Sequence, residues 1–212
     1  HLAIQRKTGL VTFHSPNPMW GLGSEPPWEG FAATWFWRAI TAPPAPDGKS
    51  RSTGPGYTFE FGEAEQSRIR TIRGGVARGR LTGGNLSLIC PLVGTPYEME
   101  TKGRILFLED VGERPYRVDR YLSHLKLAGK LDDLAGVIIG VFEDCQPRAG
   151  EVSLSLDQVF LDYFEGLGIP VIQHFPVGHV KANATMPMNV LIELDADRRV
   201  VRVLETPVSS SR

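Results

Sequence analysis

The sequence predicts an α/β fold built on parallel strands, and three observations predict it. Residues 104–108 and 136–142 are continuous apolar runs, the pattern of strands covered on both faces. Two amphipathic helical patterns follow them, over residues 115–130 and from Ser155 onward. The order strand, helix, strand, helix, strand from 104 to 173 then argues a layer of parallel strands joined by helices.

The elements can be justified in order. Residues 1–7 read as helix, and Gly9 to His14 as a buried strand. Residues 15–28 are dense in Pro, Gly and Trp, which is loop chemistry carrying large apolar side chains. Residues 31–40 read as a short helix holding Trp35 and Trp37, and 42–56 as an exposed linker. Short strands are expected at 57–61, 68–72 and near Arg80-Leu81, before Gly83-Gly84-Asn85 opens an apolar helix over 86–92. Pro115 suits a first helical turn, and Val118, Leu122 and Leu125 repeat at helical spacing. Ser155 and Gln158 stand in capping-box register, and Gly166, Gly168 and Pro170 stop that helix. Val171-Ile172 starts a further strand. Residues 189–194 and 200–205 alternate around a polar turn, which predicts an antiparallel hairpin. Two regions result: an irregular Trp/Pro/Gly-rich connecting segment, 1–56, and a C-terminal α/β domain, 57–212.

Composition narrows the function. The 212 residues carry 23 Lys+Arg against 24 Asp+Glu, a net charge of −1 that argues against a nucleic-acid coat or a polybasic membrane surface. The 42% hydrophobic content excludes wholesale disorder. No apolar run approaches the about 18 residues that cross a bilayer. Cys90 and Cys145 form no C-x-x-C pair, which suggests a reducing compartment or indifference to redox state.

Open α/β sheets place ligands at the carboxyl ends of their strands, and two such ends carry reactive groups. At the first, Glu109 directly follows an apolar run. A buried carboxylate there needs a partner, either in a functional site or as an ion pair with Arg104, Arg114 or Arg117. At the second, His174, His179 and Asn183 cluster just past a strand, and histidine is the side chain best suited to moving protons near neutral pH. A structural histidine is the alternative. The two histidines do not fit H-E-x-x-H and no third metal ligand is evident. The glycine-rich stretch 73–85 could cradle an anion, but it lacks a P-loop ending and reads more simply as a tight turn feeding a helix. Trp20, Trp28, Trp35 and Trp37 could line an aromatic pocket, pack a loop-rich segment or form a subunit interface. No serine sits in a G-x-S-x-G elbow; Ser87 is the nearest candidate.

Four stretches together resemble the LD-carboxypeptidase family, which includes the muramoyltetrapeptide carboxypeptidases and the microcin C immunity proteins. They are residues 8–16, residues 81–87 with Gly94-Thr95-Pro96, residues 104–120, and Gly178-His179 with Asn183. The resemblance implies a mixed sheet with flanking helices and a terminal β-hairpin, and a Ser-His-Glu triad. Glu109 matches the triad Glu and His179 the triad His, with Glu113 as the rival acid. It implies hydrolysis of the bond to terminal D-alanine in murein tetrapeptides, in cytoplasmic cell-wall recycling, by a homodimer without metal or organic cofactor. A peptide–nucleotide conjugate is the alternative substrate, with tryptophans stacking on a base, and a non-catalytic domain that kept the fold is the alternative class. His1 matches the interior of the helix that the family's nucleophilic serine begins. The serine and the N-terminal domain bearing it are therefore expected upstream, and the 212 residues alone are expected to be inactive.

Overall fold

A computed structural model of the chain describes residues 1–17, 19, 23, 30–41 and 56–208. The first helix, α1 (Leu2–Thr8), ends at Gly9, whose left-handed backbone returns its N–H to the Gln5 carbonyl. Next come β1 (Thr12–His14), α2 (Phe31–Ile40) and the single turn α3 (Glu63–Gln66). The strands β2 (Arg70–Arg73) and β3 (Val76–Asn85) lead into α4 (Leu86–Ile89) and a 3-10 turn at Cys90–Leu92. The expected alternation follows as β4 (Ile105–Val111), α5 (Pro115–Leu127), β5 (Gly136–Glu143), α6 (Leu156–Phe164) and β6 (Val171–Gln173). Then come β7 (Met186–Met188), β8 (Leu191–Asp195) and β9 (Val200–Val203).

Seven strands form one mixed sheet in the order β2-β6-β5-β4-β3-β8-β9. The neighbours from β3 to β6 run parallel; β2 lies antiparallel on β6, and the β8–β9 hairpin antiparallel on β3. The pleat of β4 divides the core into two layers. Leu106 and Leu108 face the helix layer, where Val118, Leu122 and Leu125 of α5 and Phe160 of α6 are buried. Ile105 and Phe107 face a second layer made by Trp35, Phe59, Phe175, Met186 and Met188. Each large side chain buried this completely stabilises the fold by about 1.5–3 kcal/mol relative to exposure. Pro115 opens α5, and the Gln158 N–H donates to the Ser155 hydroxyl at 3.1 Å to cap α6. Cys90 and Cys145 are free and buried, and burial pushes their thiols up to about 12 and about 11.

Several elements differ from expectation. The stretch 73–85 feeds α4 as expected but is more than a tight turn: β3 fills residues 76–85, and Gly79 and Gly83 serve close backbone approach. A Cβ at Gly79 would lie 2.7 Å from the Gly103 carbonyl oxygen, and one at Gly83 would lie 2.0 Å from that of Phe107. Residues 57–61 form no full strand, only one bridge from Thr58 to Arg202. The turn α3 and the strand β7, which pairs with β1, were not expected. Trp35 is core, 4% exposed, whereas Trp37 is 50% exposed. Trp20 and Trp28, the Pro-rich loop around them and the linker 42–55 lie outside the described residues. Among the described residues no helix is long and apolar enough to cross a membrane.

Candidate active site

Glu109 stands near the carboxyl end of β4, on the same face as Ile105 and Phe107. Its register is opened by an irregularity: Leu108 pairs with Ile139 and Asp110 with Phe142, so Gly140 and Val141 share the space opposite Glu109. Gly140 is needed there. A Cβ on it would lie 2.5 Å from the Val177 carbonyl oxygen and 3.2 Å from Glu109 Cβ. The Glu109 side chain is fully buried, and burial holds its carboxyl above the usual carboxylate range, partly offset by the hydrogen bond from His179.

His179 comes from the loop after β6. The chain passes Gly178 at φ 141°, where a Cβ would lie 2.8 Å from the Val141 carbonyl oxygen and 3.3 Å from Glu109 Oε2. The Gly178 N–H donates to Asn183 Oδ1 at 3.1 Å, so Asn183 closes the loop that presents the imidazole. His179 Nδ1 meets Glu109 Oε2 at 2.8 Å. The carboxylate is wholly buried, whereas the imidazole is 51% exposed. Nδ1 is engaged by the carboxylate, which leaves Nε2 as the nitrogen able to exchange a proton with a substrate or nucleophile.

The pair borders a cavity of about 580 Å³, also lined by His14, Ser15, Asn85 and Leu88. A second cavity of about 840 Å³ lies on the other side of His179, lined by Arg68, Arg70, His174 and Lys181. His174, at φ 60°, belongs to this second cavity and approaches Asp157 at 3.7 Å, away from Glu109. Burial lowers its pKa. Among the described residues no group of three His, Cys, Asp or Glu side chains is placed to hold a metal ion.

The arginine partners expected for Glu109 are engaged elsewhere. Arg104 pairs with Glu100 at 2.8 Å, Arg114 with Glu151 at 3.0 Å and Arg117 with Glu113 at 3.4 Å. Glu113, the rival acid, is thus held by Arg117 and lines neither cavity. Ser87 does not line the cavity beside His179 either; its hydroxyl donates to Asn85 Oδ1 at 2.8 Å. Asp110 faces the opposite side of β4 from Glu109 and caps α4. It accepts the Ser87 N–H at 2.8 Å and Asn85 Nδ2 at 2.9 Å.

Two site members escaped the sequence reading. Asn85 caps α4 through the Leu88 N–H and also borders the first cavity. His14, at the end of β1, places Nε2 3.7 Å from Glu109 Oε1. Burial, then the His179 imidazole, hold His14 down to about 4. A lone histidine after a short strand carries no signal by itself. The signal lay in its place within one of the four resembling stretches.

The chain is similar to known proteins over most of its length. A family model described as the LD-carboxypeptidase C-terminal domain matches residues 78–194. A Bacillus subtilis (strain 168) protein named "Probable murein peptide carboxypeptidase" is 35% identical over 99% of this chain and 60% of its own length. The "Murein tetrapeptide carboxypeptidase" of Pseudomonas aeruginosa is 36% identical over 57% of this chain and 39% of its own. The microcin C7 self-immunity protein MccF of Escherichia coli is 26% identical over 99% of this chain and 63% of its own. The structure of MccF in complex with glutamyl sulfamoyl guanosine superposes with a TM-score of 0.81, at 25% identity, over 98% of this chain and 65% of that one. The chain thus spans less than two thirds of the length of these relatives.

Proposed function

The chain belongs to the LD-carboxypeptidase family, and on that premise we propose that it supplies the acid and base of a Ser-His-Glu peptidase. The observation that carries this reading is the 2.8 Å contact between the buried Glu109 carboxylate and the half-exposed His179 ring at the edge of a cavity. In the proposed reaction His179 Nε2 takes the proton of a serine hydroxyl as its oxygen attacks the scissile carbonyl. It returns that proton to the leaving amine as the C–N bond breaks, and water then releases the acyl group by the same relay. Glu109 holds the Nδ1–H tautomer throughout and stabilises the transient imidazolium.

The proposed substrate is a murein tetrapeptide, cut at its terminal D-alanine. The names of the Bacillus and Pseudomonas relatives support that choice. The proposed nucleophile is a serine outside these 212 residues. Among the described residues, Ser15 is the serine that lines the cavity, and its hydroxyl faces the Pro16 carbonyl at 3.4 Å. We further propose a cytoplasmic place and a homodimeric assembly, the latter measurable by light scattering. The likeness to MccF favours a second reading, cleavage of a peptide–nucleotide conjugate.

Release of D-alanine from murein tetrapeptide by this chain joined to a serine-bearing N-terminal domain tests the proposal. His179→Ala and Glu109→Gln should abolish release while leaving folding intact, and the 212 residues alone should release none. Hydrolysis by the 212 residues alone that disappears in Ser15→Ala would overturn the assignment of the nucleophile. Activity retained in His179→Ala would overturn the reading as a whole. Preference for a peptidyl nucleotide over the tetrapeptide would select the second substrate.

A further inference from the structure

We infer that His14 is a positioning residue for Glu109, holding carboxylate oxygen Oε1 from one side so that Oε2 stays on the His179 ring. The inference rests on the acid–base reading of Glu109 and His179 given above, and four observations support it. Glu109 Oε1 is buried and has no hydrogen-bond partner, a costly state for a carboxylate oxygen. His14 Nε2 faces that oxygen at 3.7 Å, beyond a hydrogen bond but near enough for the dipole of a neutral ring to act on it. The His14 ring is itself fixed. It is 16% exposed and packs edge-on against Phe107, with centroids 5.1 Å apart, two residues before Glu109 on the same strand face. Its strand pairs with β7, where His14 stands opposite Met186.

The chemistry follows from the protonation state. Burial keeps His14 neutral near physiological pH, so the ring presents a dipole to Glu109 and does not compete with His179 for its charge. The tautomer that fits carries its proton on Nε2, because the other would aim a lone pair at Oε1. One bond at Oε2 leaves the carboxylate free to turn about its last torsion. A donor facing Oε1 as well resists that turn. The other groups that act on Glu109 are the His179 ring, the Asn85 amide and the Asp110 carboxylate. Asn85 hydrogen-bonds the Glu109 carboxylate as well, but Oε1 has no partner, and His14 is the ring that faces it.

Long-range 1H–15N NMR of the imidazole rings tests this on the 212 residues in alkaline buffer, with no hydrolysis required. In the parent chain His179 should carry its proton on Nδ1. In His14→Phe, which keeps an aromatic ring on Phe107 but has no N–H, His179 should shift toward the Nε2–H tautomer that free imidazoles prefer in water. His14→Gln, with an amide N–H of similar reach, should restore the parent pattern. His14→Met, equally without a donor, replaces His14→Phe if that variant does not fold. An unchanged His179 tautomer in a folded donor-less variant would overturn the inference. A tautomer that responds to His14, with no D-alanine released by the chain joined to a serine-bearing N-terminal domain, would overturn the proposed function and leave this inference standing.

Discussion

Glu109 and Asp110 are adjacent in sequence and lie on opposite faces of β4. Glu109 meets His179 at 2.8 Å, whereas Asp110 accepts the Ser87 N–H at 2.8 Å and the Asn85 amide at 2.9 Å. Strand alternation thus sends one carboxylate to the cavity and its neighbour to a helix cap.

That division predicts two different phenotypes. Asp110→Ala should lower stability by about 2–3 kcal/mol, since it removes a buried, charged hydrogen-bond acceptor. Asn85→Ala should cost about 1 kcal/mol through the lost cap. Glu109→Gln should leave the urea midpoint near or above the parent value while removing activity. Equal destabilisation by Asp110→Ala and Glu109→Gln would contradict the assignment.

Gly178→Ala should be as damaging as a core substitution although it adds one methyl group. The left-handed backbone strains any side chain there by about 1–3 kcal/mol. The new Cβ would also lie 2.8 Å from the Val141 carbonyl oxygen. The His179 loop must then move, so catalysis should fall further than stability. Thermal unfolding read beside the D-alanine assay separates the two effects.

Stability should depend on pH through His14 with a definite sign. The folded ring is held at about 4, below the unfolded value of 6.5. Between those values the unfolded chain binds a proton that the folded chain does not, so stability falls as pH drops from 6.5 toward 4. His14→Phe should flatten the urea midpoint against pH across this window by one proton. Glu109 runs the other way: burial raises its folded pKa. Its contribution is complete below the unfolded carboxyl pKa and is lost as pH rises through the folded value. In Glu109→Gln that alkaline-side loss should disappear.

The two described tryptophans should behave differently. Trp35 packs on Phe59 with ring centroids 4.8 Å apart, and Trp35→Ala should cost about 3–5 kcal/mol. Trp37→Ala, at an exposed position, should stay within about 0.5 kcal/mol. A large loss at Trp37 under denaturant would point to an interface that covers it.

The central alternation was legible because its signals are local. Val118, Leu122 and Leu125 repeat within one helix, and Ser155 caps the next from three residues away. The glycines of β3 misled because they answer backbones distant in sequence, at Gly103 and Phe107. The strand β7 is three residues, Met186-Pro187-Met188, too short to show a periodicity, whereas its partner β1 lies within the strand expected from Gly9 to His14. At the site, Glu109 and His179 stood at strand ends and in resembling stretches. Glu113, His174 and Ser87 looked equally chemical in sequence. Each engages a partner other than Glu109 and His179: Arg117, Asp157 and Asn85.

The strand β3 divides its length between two partners: residues 76–80 pair with β8 and residues 81–85 with β4. During synthesis β4 leaves the ribosome before β8 and β9 do. Until they arrive, the first half of β3 is an unsatisfied edge with exposed N–H and C=O groups, open to pairing with another nascent chain. A chain ending near residue 190 should therefore aggregate even though Glu109, His179 and the cavity beside them are all present. Release of soluble protein then depends on a hairpin that borders neither cavity beside His179.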